Sequence, residues 1–83
     1  EEEISIYPNP NNGNFDVEIS GNIDYEATLQ VIDIMGREVA KEKMNAKLDF
    51  AHAKLNLDGI PSGHYIVKIQ TANGIYTKEF VKQ

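Results

Sequence analysis

The sequence predicts an all-β domain, an antiparallel β-sandwich of about seven strands. Apolar and polar residues alternate along most of the chain, which is the period that half-buried strands have. Clusters of Gly, Pro, Asn, Asp and Ser interrupt this alternation at short intervals, as turns between short strands do. The 83 residues suffice for one small domain. A chain of this size buries only about 60% of its unfolded surface, which leaves little room for a deep catalytic cleft.

Seven segments carry the strand pattern in order along the chain. Three are marked by alternating apolar residues, namely Ile4 and Ile6, then Phe15, Val17 and Ile19, then Ala27, Leu29 and Val31. The other four are residues 37–42, 54–58, 63–71 and 75–81. Turn-forming residues separate the segments at 8–13, 20–22, 33–36, 58–63 and 73–74. Each strand therefore has one apolar face, and two sheets that bury these faces against each other form a sandwich.

The last two strands are predicted to form a tight hairpin. Asn73 and Gly74 tolerate the two positive φ angles of a type I′ turn, so we expect a two-residue loop at this point. That loop would pair Lys68 with Glu79 on the solvent face. It also places one charged residue, Lys78, among the apolar side chains of the inner face. The side chains predicted for that inner face are Tyr65, Val67, Ile69, Tyr76 and Phe80.

Residues 41–55 also fit a second interpretation, a short helix. This segment is rich in helix-forming residues, and Met44, Leu48, Ala51 and Leu55 recur at spacings of four, three and four. Neither a capping residue nor a terminal Gly frames it, however. We therefore expect an edge strand, a loop and a further strand here, with the helix as the alternative.

Composition excludes several classes of partner. Thirteen acidic and eight basic residues give a net charge of −5, which opposes binding to nucleic acids and anionic membranes. The chain has no Cys, so it forms no disulfides, thiolate metal sites or Cys nucleophile. No apolar segment approaches the roughly 20 residues of a membrane-spanning helix. The acidic residues 1–3 resemble the end of a linker, and residues 4–83 are predicted to form one domain.

No pattern in the sequence indicates a catalytic or cofactor site. His52 and His64 lack the close spacing of zinc ligands, and no Ser lies in a nucleophile motif. The oxygen-rich segment from Asn9 to Gly13 lacks the alternating carboxylates of a calcium loop. We therefore predict no cofactor, no metal and no enzyme activity. A small hydrolase remains the weakest alternative and would require a pocket that joins a His to a hydroxyl.

Four ordered blocks of the sequence resemble the C-terminal sorting domains of the type IX secretion system. The first contains Tyr-Pro-Asn-Pro within Ile4–Pro10 and continues as Gly-Asn-Phe at Gly13–Phe15. Val31–Val39 is similar to the middle hairpin of the family, and Leu57–Ile69 to its Gly-x-Tyr block. Lys78–Gln83 resembles the basic and apolar end of the family. The blocks cover nearly the whole chain, although the stretch between Glu42 and Lys54 is longer than the family pattern.

The resemblance implies an immunoglobulin-like sandwich that acts as an address label for export. As a member of this family, the domain would be fused to an N-terminal cargo and recognised by an outer-membrane translocon of Bacteroidota. A sortase would remove it after translocation. The cargo would pass through the periplasm and end at the cell surface or outside the cell. Neither nucleic acid binding nor membrane insertion is implied.

The same resemblance suggests which residues take part in recognition by the translocon and the sortase. These candidates are Pro8, Asn9, Pro10, Gly36, Gly63, Tyr65, Lys78, Phe80, Val81, Lys82 and Gln83. The two prolines and the two glycines also have a purely structural interpretation, because they fix or permit particular backbone conformations. The basic residues of 78–83 are instead expected to form an exposed electrostatic handle on an acidic domain.

A carbohydrate-binding or adhesion module is the alternative function. Sandwiches often carry such activities, and a fold alone does not decide between them. This alternative predicts an exposed aromatic or polar site, for which Tyr7 and Tyr25 are the candidates.

Overall fold

The computed structural model describes residues 3–21, 26–47 and 49–83. Within these ranges the chain forms eight strands. They are β1 (Glu3–Tyr7), β2 (Asn14–Ser20), β3 (Ala27–Asp33), β4 (Glu38–Lys43), β5 (Asn45–Lys47), β6 (Phe50–Asn56), β7 (Gly63–Thr71) and β8 (Gly74–Lys82). No helix in this part of the chain has the length and apolar character needed to cross a bilayer. Strand β1 begins at Glu3, one residue before the predicted start of the domain.

The strands form two four-stranded antiparallel sheets. The first has the order β1-β2-β6-β5 and the second the order β4-β3-β7-β8. Alternating side chains of both sheets point inward, and the most deeply buried are Val17, Ile19, Leu29, Val31, Ala51, Val67 and Ile69. The prediction of an all-β sandwich is therefore confirmed. The number of strands exceeds the expected seven because the three-residue β5 pairs with β6.

The alternative prediction of a helix at residues 41–55 is wrong, because none of the described residues in this range is helical. Residues 41–43, 45–47 and 50–55 belong to β4, β5 and β6, while Leu48 lies outside the described residues. Met44, Ala51 and Leu55 are buried, as the apolar spacing suggested. They are buried as parts of the sheets and not of a helix, because Ala51 and Leu55 lie in β6 and Met44 lies between β4 and β5. The expected strand at 54–58 also begins earlier, at Phe50. Pairing of Ala51 and Ala53 with β2 accounts for this, because backbone bonds to a neighbour outweigh local helix propensity.

The hairpin of β7 and β8 has the predicted faces but not the predicted register. Thr71 is paired with Gly74, so the two-residue loop consists of Ala72 and Asn73. Every pairing is thus displaced by two residues, and Lys68 lies opposite Thr77 instead of Glu79. A displacement by two residues preserves the faces, because side chains alternate with a period of two. The Thr71 hydroxyl accepts a hydrogen bond from the backbone NH of Asn73 at 3.1 Å, which favours the turn at this position.

Lys78 lies on the inner-facing side of β8, where the sequence placed it, but its ammonium group reaches the rim of the sandwich. It lies opposite Val67 and its Nζ donates a hydrogen bond to the Ile4 carbonyl at 3.1 Å. Ile4 belongs to the edge strand β1 of the other sheet. Lys78 therefore links the edge strands β8 and β1, and its charged group forms its hydrogen bond at the edge of the sandwich and not in the core.

Candidate recognition surface

The four sequence blocks meet at one end of the sandwich. Strands β1, β3, β6 and β8 all end there, and β2 and β7 begin there. We call this region the motif end. It consists of the loop 8–13, the turn 33–37, the loop 57–62 and the terminal segment 81–83. The opposite end carries the 72–73 turn, and the blocks extend toward it only along strands, as far as Ile4 in β1 and Ile69 in β7.

The Tyr-Pro-Asn-Pro loop lies along the outer edge of β8. The backbone NH of Asn11 donates to the Val81 carbonyl at 3.0 Å, and the NH of Gln83 donates to the Asn11 carbonyl at 2.7 Å. Asn9 adds a side-chain contact, since its Oδ1 accepts from the Val81 NH at 3.0 Å. Asn11 and Lys82 thereby form a short parallel bridge. The first and last blocks of the sequence are thus parts of one surface.

Lys82 also contacts the backbone at the motif end. Its Nζ donates to the carbonyls of Asp58 at 2.9 Å and Ile60 at 2.6 Å. The loop 57–62 is held from the other side as well, because the Leu57 NH donates to the Gly13 carbonyl at 2.6 Å. The sequence predicted an exposed basic handle at residues 78–83. In the structure Lys78 is exposed and Lys82 is half-buried, and the ammonium groups of both donate to carbonyls of the domain itself.

Two of the candidate recognition residues are in the core. Tyr65 is 4% exposed and Phe80 is 1% exposed, and their rings stack with centroids 5.5 Å apart. The Tyr65 hydroxyl donates to the Pro61 carbonyl at 2.5 Å, the arrangement known as a tyrosine corner in immunoglobulin-like folds. Both residues therefore stabilise the motif end from inside. Direct contact with a receptor stays a prediction for them.

The other candidates lie at or near the surface. Pro8, Asn9, Pro10, Gly36, Lys78 and Gln83 are exposed, and Gly63, Val81 and Lys82 are half-buried. Gly36 has a φ of +85°, a conformation that glycine adopts at little cost. Its position in the 33–37 turn therefore accounts for its presence without any contact to a partner.

The turn between β3 and β4 presents two apolar side chains that are not among the recognition residues predicted from the sequence. Ile34 is 77% exposed and Met35 is 73% exposed. The turn is rigid, because Oδ1 of Asp33 accepts hydrogen bonds from the NH groups of Met35 and Arg37, both at 2.9 Å. Two apolar residues between Asp33 and Gly36 were the available signal, since such turns usually carry polar residues at their tips. An open groove of about 550 Å³ separates this turn from residues 61–65.

The hydrogen bonds that the Asp33 carboxylate accepts in this turn, here called the Asp33 cap, make the stability of the domain depend on pH. The Arg37 NH, then the Met35 NH and the Arg37 guanidinium, stabilise the ionised Asp33 and hold its pKa below the ordinary value. The contribution of this carboxylate to stability is therefore complete above the unfolded pKa of about 3.9 and is lost as pH falls through the folded pKa. We expect Asp33→Asn to destabilise the domain at neutral pH and to approach the wild type in acid. Urea unfolding across this pH range measures the difference.

Arg37→Ala serves as the control for this experiment. It removes the ion pair of 2.9 Å but retains the backbone NH that contributes most to the lowered pKa. Most of the pH dependence should therefore persist in Arg37→Ala. If it disappears there, the ion pair and not the backbone cap controls Asp33.

Tyr7 was a candidate for a carbohydrate-binding platform and lies on β1 with 43% exposure. Its hydroxyl donates to Oε2 of Glu18 at 2.5 Å, and this hydrogen bond is the main reason that the pKa of Tyr7 rises to about 12. Tyr25, the other candidate, lies outside the described residues. Within the described ranges, no group of three His, Cys, Asp or Glu side chains is placed to hold a metal ion.

Comparisons with known proteins agree with this architecture. The chain matches a solved protein of the DUF3244 family from Bacteroides vulgatus ATCC 8482, described as an immunoglobulin-like β-sandwich, with a TM-score of 0.64 and 16% identity. The match covers 100% of this chain and 95% of that one. At this identity the likeness concerns the fold alone, and it confirms the predicted immunoglobulin-like sandwich. No curated protein matches the chain.

A comparison with models of protein families shows which family the chain belongs to. The model of the secretion system C-terminal sorting domain matches residues 5–83, which is nearly the whole chain and includes all four blocks. The resemblance found in the sequence is thereby confirmed. The chain belongs to the family of C-terminal sorting domains of the type IX secretion system.

Proposed function

We propose that this domain exports a covalently fused N-terminal passenger, and that the outer-membrane translocon recognises its motif end. The family supplies the general role, a sorting signal for type IX secretion that directs export to the cell surface or the extracellular space. The observation that carries the finer proposal is the convergence of all four family blocks on one end of the fold.

The motif end offers a receptor a pre-formed shape. Pro8, Asn9 and Pro10 are exposed beside Gln83, and the Asp33 cap fixes Ile34 and Met35 in their exposed positions. A rigid surface loses little conformational entropy on binding, which favours affinity. Gly36, Gly63, Tyr65 and Phe80 serve recognition indirectly in this proposal, since they maintain the shape.

The domain itself catalyses no reaction in this proposal. It accompanies its passenger through the periplasm and across the outer membrane, where a sortase of the secretion system removes it. The passenger is then attached to the cell surface or released. The domain acts only through binding, so its recognition surface can be altered without affecting the activity of the passenger.

A secretion assay tests the proposal. Residues 1–83 are fused to a fluorescent passenger with an inner-membrane export signal in a bacterium that has a type IX system, and fluorescence is measured outside the cells and in the periplasm. We expect the wild-type fusion outside the cells. The double variant Ile34→Ser, Met35→Ser should retain its melting temperature but lose export by about tenfold, which corresponds to about 1.4 kcal/mol of binding free energy.

Ile75→Ser is the matched control. Ile75 is 55% exposed and lies next to the 72–73 turn at the opposite end, so its replacement should leave export unchanged. If the wild-type fusion stays in the periplasm, the export role is wrong. If the double variant is exported like Ile75→Ser, the motif end is not recognised through its 33–37 turn.

A further inference from the structure

Asn11 is a buried polar residue in the loop 8–13. It is 3% exposed, and Thr71 is the other buried polar residue among those that the structure describes. Burial of an amide is costly unless its donors and acceptors are paired. The surroundings of Asn11 meet this condition, because both backbone groups and both polar atoms of the side chain form hydrogen bonds.

These hydrogen bonds divide into two sets. The side chain holds its own loop, since Nδ2 donates to the Pro8 carbonyl at 3.0 Å and Oδ1 accepts from the Gly13 NH at 2.8 Å. The backbone holds the end of the chain, through the contacts to Val81 and Gln83. The side chain thus fixes the loop in the conformation that lets the backbone pair with residues 81–83.

The terminal segment depends on this pairing. The register of β7 with β8 ends at Gly63 and Lys82, so Gln83 lies beyond the last pair of that ladder. The NH of Gln83 donates instead to Asn11, a residue more than seventy positions earlier in the chain. The conformation of the terminal residues is therefore set by a loop from the other end of the sequence, and a chain that has not folded cannot reproduce it.

We propose that Asn11 is the positioning residue for the terminal segment 81–83, and that the translocon recognises this segment only in the conformation that Asn11 imposes. The inference rests on the proposed function of the motif end. It makes recognition conditional on folding, because the signal requires contact between residues that only the folded domain brings together. Asn11 itself is buried, so in this proposal it makes no direct contact with the translocon.

The test compares Asn11→Ala with Asn12→Ala. Asn12 is exposed and its Oδ1 accepts a local hydrogen bond from the Asn14 NH at 3.0 Å, so it is a matched control in the same loop. Amide hydrogen exchange of the domain is followed by NMR, and export is measured with the fluorescent fusion. In Asn11→Ala we expect exchange at Val81 and Gln83 to accelerate by about tenfold, while core amides such as that of Leu29 are unchanged. Export should fall by about tenfold, and Asn12→Ala should behave as the wild type.

Asn9→Ala covers the case in which Asn11→Ala does not fold. It removes the acceptor of the Val81 NH and leaves Asn11 in place, so exchange at Val81 should accelerate while exchange at Gln83 changes less, and export should fall by less than in Asn11→Ala. Faster exchange at residues 81 and 83 with normal export would overturn the proposal. Loss of export without faster exchange would overturn it as well.

A deletion separates this inference from the proposed function. Removal of residues 82–83 should abolish export if the terminal segment is recognised at all. If the deletion leaves export intact, the recognition role of the terminal segment is wrong, whatever Asn11 does. If the deletion abolishes export but Asn11→Ala exports normally with its terminal segment loosened, only the positioning role of Asn11 is wrong.

Discussion

Gly13→Ala is expected to remove a large part of the stability of the domain. Gly13 has a φ of +104°, and a Cβ added there would lie 2.5 Å from the Leu57 carbonyl oxygen and 2.7 Å from Asp58 Cα. Both obstacles are backbone atoms, so no side-chain rotation relieves the clash. Unfavourable φ and overpacking each cost about 1–3 kcal/mol. A domain of this size has only about 4–12 kcal/mol of stability in total.

Thermal unfolding by circular dichroism measures the effect. A loss of about 3 kcal/mol should lower the melting temperature by roughly 12–24 °C in a domain of this length. Gly59→Ala is the control, because a Cβ there meets no atom within 4 Å. That variant should melt close to the wild type. Equal melting of the two variants would mean that the loop 8–13 does not pack on the loop 57–62 as described.

The faces of the strands could be predicted from the sequence because they depend only on alternation. Val17, Val31 and Val67 are buried on the inner faces for that reason, and the wrong hairpin register did not alter the assignment. Register depends on finer balances, such as the hydrogen bond between the Thr71 hydroxyl and the Asn73 amide. Those energies are small in comparison with burial of a face, and the sequence pattern does not reveal them.

The recognition surface was only partly predictable. The blocks were recognisable as a resemblance, but nothing in their order revealed that the loop 8–13 pairs with residues 81–83 across the whole length of the chain. A long side chain such as Lys82 is expected to extend into solvent, and its two carbonyl acceptors become apparent only in the fold. Asn11 was inconspicuous in a polar loop, although it is buried.

Tyr65 and Phe80 illustrate a conflict between two kinds of inference. Alternation placed both on the inner face, whereas the family resemblance placed both among the recognition residues. Their low exposure agrees with the first inference. The two can be reconciled if recognition depends on the shape that these rings support, and this can be tested at Phe80.

Phe80→Ala is expected to be the most destabilising alanine substitution in β8. The ring is 1% exposed and lies between Phe15, at a centroid distance of 4.5 Å, and Tyr65, at 5.5 Å. Removal of a buried Phe side chain costs about 3–5 kcal/mol, because it combines lost burial with a cavity. Phe50→Ala is the control, since that ring is 38% exposed and its loss should cost only about 1–2 kcal/mol. Urea unfolding measures both, and similar values for the two would contradict the described core.

Phe80→Leu then distinguishes shape from contact. Leucine keeps most of the apolar volume, and repacking of this kind typically costs less than about 1.5 kcal/mol, so the variant should fold. If Phe80 acts only by supporting the motif end, export of the fluorescent fusion should follow the folded fraction of each variant, and Phe80→Leu should be exported normally. A folded Phe80→Leu domain that is not exported would mean that the phenyl ring itself is recognised. Since the ring is buried between Phe15 and Tyr65, the domain would then have to open this core when it binds the translocon.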